Sequence, residues 1–458
     1  IWVNAVSMLR NFIPKQVSKI LKRIMVIDLF NLHSLFLSLY SELMTNYLPY
    51  IFITLFALKT VTELYLNWRN LRHIKNHQGS VPEGFQEKIS LEEHNKAARY
   101  SCEKIKLSQL SILFHSLIFL AWLPGGGLNQ IDQIARTWAT NQWQQGLTFF
   151  AIFFIISYFL SLPEKIYHTF VIEQKYGFNK TTPKIFITDQ IKQLLLMTII
   201  SVALLSLVLK IMSSYPEHWW FIAWVVIIAF QFFMMWAFPV VIAPLFNKFS
   251  PLEEGEVKKQ VQELLDKTGF ESDGIFIMDA SKRSAHGNAY FTGLGKKKRI
   301  VFFDNLIKSL DSKEIKAVLA HELGHFKKKH ILKSLIRSVF ISLLGFYILG
   351  KVANNDLFYQ SHFVSTNSTY MALMLFSLVV PVYTFFLEPI STWLSRKNEY
   401  EADTFAAEFA DARDLISSLI KLYKENASTL TPDPIYSKFY HSHPPAIERI
   451  SHLKSLVT

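Results

Sequence analysis

The sequence predicts a mainly α polytopic membrane protein with about seven transmembrane helices and a cytoplasmic α+β domain. Of its 458 residues, 50% are hydrophobic and 15% aromatic, a composition that indicates a bilayer rather than an ordinary soluble chain. Seven stretches have the length and apolarity of membrane spans. The longest polar segment between them carries the helical motif His-Glu-Leu-Gly-His.

The net charge and the cysteine content exclude some classes of function. The formal net charge of +12 is compatible with nucleic-acid binding or with basic loops on the cytoplasmic side of a membrane. In so apolar a chain the second interpretation is the better one, and we expect no nucleic-acid partner. The single cysteine, Cys102, excludes an intramolecular disulfide and a thiolate metal site.

Residues 1–43 form an N-terminal extension whose role stays open. A basic stretch is followed by the apolar segment 25–43, which suits a targeting segment, an interfacial helix or a further crossing. Translation beginning at Met44 is the alternative. We expect deletion of residues 1–43 to leave activity intact.

The seven predicted spans and their loops give the topology. The spans lie near 47–68, 107–128, 146–163, 191–212, 219–242, 331–350 and 370–390. Loops after the first, third and fifth spans are rich in Lys and Arg, and those after the second, fourth and sixth are not. The positive-inside rule therefore places the former loops and the C-terminus in the cytoplasm.

This topology divides the rest of the chain into four parts. They are transmembrane helices 1–5 (44–243), a cytoplasmic catalytic part (244–330), transmembrane helices 6 and 7 (331–390) and a cytoplasmic C-terminal part (391–458). The catalytic part is predicted to contain a helix that ends at Gly269, followed by three short strands at 275–278, 289–294 and 300–303.

The motif helix is predicted to begin with a capping box formed by Asp311 and Glu314. His321 and His325, four residues apart, share one face of the helix, so both imidazoles can bind a single ion. Glu322 follows the first histidine and can reach a water on that ion without binding the metal. This spacing is typical of zinc hydrolases with one Zn²⁺ per chain, and a chance match on an amphipathic helix is the alternative.

Two histidines require a third ligand, and three places downstream offer a carboxylate: Asp356, Glu388 and the acidic cluster 399–403. The topology excludes Asp356, which lies in an opposite-side loop. Glu388, at the end of a span, stays open.

Within the acidic cluster, Glu399 and Asp403 are four residues apart on a predicted helix. One can bind the metal while the other orients a ligand histidine. Glu401 is rotated by about 200° from Glu399, so we expect it to face water or headgroups and its replacement by alanine to be nearly silent.

Several further motifs accompany the histidine helix, at 173–180, 246–249, 288–293, 395–399, 402–403 and 443–444. With them the chain resembles, over about residues 44–458, the zinc-dependent type I CAAX prenyl proteases, a family of integral-membrane metallopeptidases. The resemblance implies seven helices around a large chamber, zinc ligands His321, His325 and Glu399, and Glu322 as general base. It also implies cleavage near the C-terminus of a prenylated CaaX protein, which releases the last three residues.

Substrate contacts can be assigned further. Peptide hydrolysis needs a donor to the oxyanion, and His443 and Arg449 are the candidates, although His443 can instead cap or pack near the C-terminal helix. The segment of Asn288, Ala289 and Tyr290 is either an edge strand that pairs with the substrate backbone or an ordinary buried strand.

Two other functions fit parts of the pattern. One is a membrane quality-control metalloprotease that degrades misfolded or translocon-jammed proteins. The other is a transporter or channel with a structural zinc, which would have no need of Glu322. The C-terminal residues contain no dilysine, which favours a bacterial inner membrane, with the endoplasmic reticulum as the location in a eukaryote. The active site is expected on the cytoplasmic side, and the oligomeric state stays open.

Overall fold

The computed structural model describes residues 32–292 and 298–457, with side chains from residue 47 onward. In this part seven helices are long and apolar enough to cross a bilayer: Tyr47–Asn76, Leu91–Trp122, Gln142–Tyr176, Pro183–Ser214, Trp219–Phe246, His330–Val352 and Thr369–Phe409. The predicted number of spans is confirmed. Residues 1–31 of the predicted extension lie outside the described residues.

The described residues before the sheet form helices joined by loops. These helices are α1 (Leu32–Asn76), α2 (Leu91–Trp122), α3 (Gly127–Trp138), α4 (Gln142–Tyr167), α5 (Gln174–Tyr176), α6 (Pro183–Ser214), α7 (Trp219–Ala237) and α8 (Ala243–Phe246). Two π-helical turns, His168–Glu173 and Phe238–Ile242, connect α4 to α5 and α7 to α8. Ser90 begins α2 with a capping box, and Thr182 caps α6 ahead of its proline, so side chains satisfy the free N–H groups of these helix ends.

The second half contains the sheet and the remaining helices. The strands are β1 (Phe249–Pro251), β2 (Ile275–Met278), β3 (Ala289–Thr292) and β4 (Arg299–Phe303). The helices are α9 (Glu256–Thr268), α10 (Asp304–Ser309), α11 (Ser312–Lys327), α12 (His330–Val352), α13 (Asp356–Gln360), α14 (Thr369–Thr384), α15 (Glu388–Phe409), α16 (Ala412–Glu425), α17 (Pro434–Tyr440) and α18 (Ala446–Leu456).

The sheet has the order β1-β2-β4-β3, with β2 and β4 parallel and the other pairs antiparallel. The three predicted strands correspond to β2, β3 and β4, while β1 was not predicted. Gly269 ends α9 in the left-handed conformation with φ +59°, as glycine after a helix commonly does. Residues 293–297, with the end of the predicted 289–294 strand, lie outside the described residues.

The α+β part has its own apolar core. Ile315, Leu319 and Leu323 form the buried stripe of α11 and pack with Val261 of α9 and Phe302 of β4. Each fully buried side chain of this kind contributes about 1.5–3 kcal/mol. Helix α11 is therefore held on several sides, which gives its histidines a fixed direction.

The loops collect at two opposite ends of the transmembrane helices. At one end, Arg69 of α1 forms an ion pair of 2.9 Å with Asp433, and Lys424 forms one of 2.8 Å with Glu93. At the other end, the Asn129 side chain donates to the carbonyl of Phe363 over 2.9 Å. The basic loops after the first and third spans thus contact the C-terminal and α+β parts, through Arg69 with Asp433 and through the Lys180 N–H, which donates to the carbonyl of Arg283 over 3.1 Å.

Candidate active site

Helix α11 begins with the predicted capping box. The Asp311 carboxylate accepts from the Glu314 backbone N–H over 3.0 Å, and the Glu314 carboxylate accepts from the Asp311 N–H over 2.9 Å. Glu314 is buried and also binds Lys421 Nζ at 2.6 Å and Ser417 Oγ at 2.7 Å. These contacts fix the start of α11 against α16.

Ten residues further on, three side chains converge. His321 Nε2 lies 3.3 Å from His325 Nε2, and the Glu399 carboxylate lies 3.5 Å from the first nitrogen and 3.2 Å from the second. One ligand atom from each residue fits within 4.8 Å. Two imidazoles and a carboxylate are a donor set that zinc prefers.

The environment of Glu399 also fits a metal ligand. Its side chain is 3% exposed, and Oε2 has no hydrogen-bond partner among the described residues. His443 Nδ1 is only 2.7 Å from this oxygen, but the contact lacks the geometry of a hydrogen bond. A buried carboxylate oxygen without a donor is uncommon, and a bound cation would satisfy it.

The other carboxylates considered from the sequence do not join this group. Asp356 lies on α13, between the sixth and seventh spans. Glu388 begins α15 and stands eleven residues before Glu399, or about 16 Å along the helix axis. Only the first acidic residue of the 399–403 cluster comes into the group with both histidines.

Asp403 lies on the opposite side of the His321 ring. His321 Nδ1 is 2.9 Å from its Oδ1, an ion-pair contact that favours a proton on Nδ1 and leaves Nε2 as the nitrogen that can bind a metal. Burial and Arg449 lower the pKa of His321, but its contacts with Asp403 and Glu399 outweigh these effects and raise the pKa to about 9.

Arg449 holds Asp403 with two hydrogen bonds, Nε to Oδ2 at 2.9 Å and Nη2 to Oδ1 at 2.6 Å. It is buried, and Nη1 reaches within 3.6 Å of Glu399 Oε2. Its position relative to Asp403 could not be derived from the sequence, because 46 residues separate the two.

The expectation that Glu401 faces water or headgroups is only partly met, because its side chain is 37% exposed but also contacts a buried histidine. Its Oε2 lies 3.0 Å from His330 Nε2, and His330 Nδ1 lies 3.1 Å from Nδ1 of His325. The backbone conformation explains why this contact of Glu401 was not predicted. Lys329 adopts φ +59° between α11 and α12, so the chain turns sharply and His330 lies against the flank of α15 that carries Glu401. Sequence reasoning missed His330, although it is a histidine only five residues after His325.

Glu322 is half-buried next to His321 and forms no hydrogen bond or ion pair with another described residue. Successive helix residues rotate by about 100°, so its carboxylate points to one side of the three converging atoms. It is therefore free to bind a water or a substrate group there.

His443 lies at the open side of the group, with its side chain 63% exposed. Arg396 of α15 donates to the carbonyl oxygens of Ser437, Lys438 and His441 at 3.3, 3.0 and 2.9 Å. It thereby anchors the end of α17, two residues before His443.

Strand β3 lies at one edge of the sheet, which agrees with the edge-strand interpretation of this segment. Ala289 pairs with Phe302 and Tyr290 with Val301, and the other edge of β3 has no strand partner in the described part of the chain. Asn288 precedes the strand and is exposed.

This fold and site define an integral-membrane metallopeptidase of the HExxH class. Residues 251–457 match the profile of Peptidase family M48, and residues 70–248 match that described as CAAX prenyl protease N-terminal, five membrane helices. The chain belongs to the M48 peptidase family, in its CAAX prenyl protease group.

Its relatives match it over most of their length. CAAX prenyl protease 1 of Saccharomyces cerevisiae is 34% identical, with 85% of this chain and 92% of the yeast protein covered. The CAAX prenyl protease 1 homolog of Oryza sativa is 33% identical, with 89% and 98% covered. The crystal structure of S. mikatae Ste24p superposes with a TM-score of 0.83 at 35% identity and covers 89% of this chain and 98% of its own.

Proposed function

We propose that this protein is a zinc-dependent endopeptidase that cleaves prenylated CaaX proteins near their C-terminus and releases the last three residues. The observation that carries the proposal is the convergence of His321, His325 and Glu399, with a buried carboxylate oxygen lacking a donor. The similarity to proteins named CAAX prenyl protease 1 supports the substrate class.

His321, His325 and Glu399 would hold the ion through two Nε2 atoms and a carboxylate. A zinc ion bound there supplies Lewis-acid chemistry, which polarises the scissile carbonyl and makes water more acidic. Asp403 keeps the proton of His321 on Nδ1, so the lone pair of Nε2 is available to bind the metal.

Glu322 carries the proton transfers. Its carboxylate takes a proton from the attacking water and later gives it to the leaving amine. The absence of a competing partner for Glu322 among the described residues supports this role.

His443 and Arg449, the two candidates for the oxyanion, differ in their surroundings. Arg449 is buried, donates two hydrogen bonds to Asp403 and lies 3.3 Å from His321 Nδ1 through Nη2, which favours a role in holding Asp403 against His321. His443 is exposed, with Nδ1 beside Glu399, and its Nε2 forms no hydrogen bond with a described residue, so Nε2 can donate to the carbonyl oxygen as negative charge develops. We therefore assign the oxyanion contact to His443.

The edge position of β3 favours backbone pairing with an extended substrate through Asn288, Ala289 and Tyr290. Such pairing recognises peptides irrespective of side chain, so the prenyl group would supply the selectivity.

Polar side chains within the spans support a hydrated chamber between the helices. Lys59 and Glu63 form an ion pair of 2.7 Å in the middle of the first span, with side chains 22% and 19% exposed. Thr60 contacts Ser116 of the second span at 3.3 Å. Charged residues inside a membrane protein face its interior or a water-filled cavity, where the prenylated substrate would enter.

We infer that the active site faces the cytoplasm, since the basic loops accompany the α+β part. Cysteines at the exposed positions Lys313 and Asn354, introduced after Cys102→Ala, test this with an impermeant reagent. Only the Asn354→Cys protein should be labelled from outside intact cells, and only Lys313→Cys from the cytoplasmic side. The reverse pattern would invert the topology.

The substrate proposal is tested with purified protein, a farnesylated CaaX peptide and the same peptide without the prenyl group. We expect release of the C-terminal tripeptide from the farnesylated peptide and far slower cleavage of the other. Equal cleavage of both, together with cleavage of an unfolded protein, would instead favour a quality-control protease.

A further inference from the structure

We propose that His330 and Glu401 are positioning residues for the metal site and act as a relay that fixes the ring of His325. The inference deepens the metal site proposed above and rests on it. His330 is buried and Glu401 is partly exposed, and neither residue belongs to the His-Glu-Leu-Gly-His motif.

The directions of the hydrogen bonds follow from the position of His325. Its Nε2 is 3.3 Å from His321 Nε2 and 3.2 Å from Glu399, so this nitrogen must carry the free lone pair if the group binds a metal. The proton of the neutral ring then resides on Nδ1.

That Nδ1–H has an acceptor in the described structure. His330 Nδ1 lies 3.1 Å away and can accept only if its own proton is on Nε2. The Nε2–H of His330 in turn donates to Glu401 Oε2 at 3.0 Å. Each donor in this series of hydrogen bonds has one acceptor. The series ends at the Glu401 carboxylate, which can only accept hydrogen bonds when it is ionised.

The two ligand histidines are thus oriented by carboxylates of the same helix. For His321 the carboxylate is Asp403, in direct contact at 2.9 Å. For His325 it is Glu401, which acts through His330. Helix α15 therefore supplies the ligand Glu399 and also the two supporting carboxylates, Glu401 and Asp403.

The relay depends on the turn between α11 and α12. With φ +59°, Lys329 starts α12 next to the end of α11, so the buried ring of His330 returns to His325. His330 is 4% exposed, and in a buried site an imidazole needs both of its nitrogens satisfied.

The test measures metal affinity in the full-length protein, by zinc competition against a chromophoric chelator and by the visible absorption of the cobalt-substituted site. Glu401→Ala and His330→Leu should each weaken zinc binding by about 10–100-fold and alter the cobalt spectrum. Glu401→Gln keeps an acceptor of the same length and should restore most of the affinity. Glu408→Ala, an exposed glutamate later on α15, is the matched control and should bind zinc like the parent protein.

A double-mutant cycle separates the relay from independent effects on stability. If the two residues act in series, Glu401→Ala combined with His330→Leu should lose no more affinity than His330→Leu alone. Additive losses, or a Glu401→Ala protein with the zinc affinity and cobalt spectrum of Glu408→Ala, would overturn the relay. A parent protein that binds no zinc would instead refute the proposed metal site.

Discussion

Gly324 of α11 lies directly against Ala402 of α15. A Cβ added to Gly324 would be 2.9 Å from the Cα of Ala402 and 3.1 Å from its carbonyl oxygen, closer than side-chain carbons pack. The two helices carry the histidines and Glu399, so this contact sets the distance between the ligands of the proposed site.

Gly324→Ala should therefore separate the helices, at a cost of about 1–3 kcal/mol, and weaken zinc binding. Gly345→Ala is the matched control, because a Cβ at this helical glycine meets nothing within 4 Å. Thermal unfolding and zinc titration of the two variants measure the difference. Unchanged zinc affinity in Gly324→Ala would show that the spacing of the helices does not limit the site.

Glu322→Gln should retain metal and lose peptidase activity by about 10²–10⁴-fold, because the residue moves protons and does not bind the metal. Metal content by atomic spectroscopy and turnover of a farnesylated peptide are measured on the same preparation. Normal turnover at full metal content would exclude Glu322 as the general base.

His443→Ala should lower kcat by about 10²–10³-fold while zinc content stays unchanged, since the histidine faces the substrate carbonyl in our proposal. His452, which contacts Thr404 at 3.1 Å, provides a histidine control on α18. Zinc loss in His443→Ala would indicate that it acts as a ligand instead.

Arg449→Ala should destabilise the protein by about 3–5 kcal/mol, because it leaves the buried Asp403 without its charge partner. Arg413 forms the same kind of two-bond pair with Asp411, but at the surface. Arg413→Ala should therefore change the unfolding temperature very little. Similar destabilisation by both substitutions would contradict the importance of burial.

Zinc affinity should rise with pH up to about 9. The pKa of His321 is raised to about 9 in the metal-free site, so below this pH zinc must displace a proton, and its affinity should increase about tenfold per pH unit.

The metal-free protein should show the opposite trend. Its His321 stabilises the fold fully below the unfolded pKa of about 6.5, and this contribution is lost as pH rises to about 9. The increase in Tm on adding zinc should therefore grow between pH 6.5 and 9. A constant increase over this range would contradict protonation of His321 in the empty site.

Local sequence patterns were sufficient to predict the spans of this protein and the histidine face of its motif helix. The length and apolarity of a span are properties of one segment, so the number of spans followed from the sequence alone. The alignment of His321 with His325 is likewise fixed within one helix by its 3.6-residue period. The capping box of Asp311 and Glu314 is also local, and it was predicted correctly.

Only the tertiary structure decided what each helix face meets. Helical rotation predicts that Glu401 points away from Glu399, but it does not predict which residue packs on that side of α15. There the left-handed residue Lys329 turns the chain so that His330 contacts Glu401. Arg449 finds Asp403 from 46 residues away in the same manner. Periodicity assigns a direction to a side chain, whereas its partner depends on contacts between distant segments and on single backbone angles, which local sequence patterns do not encode.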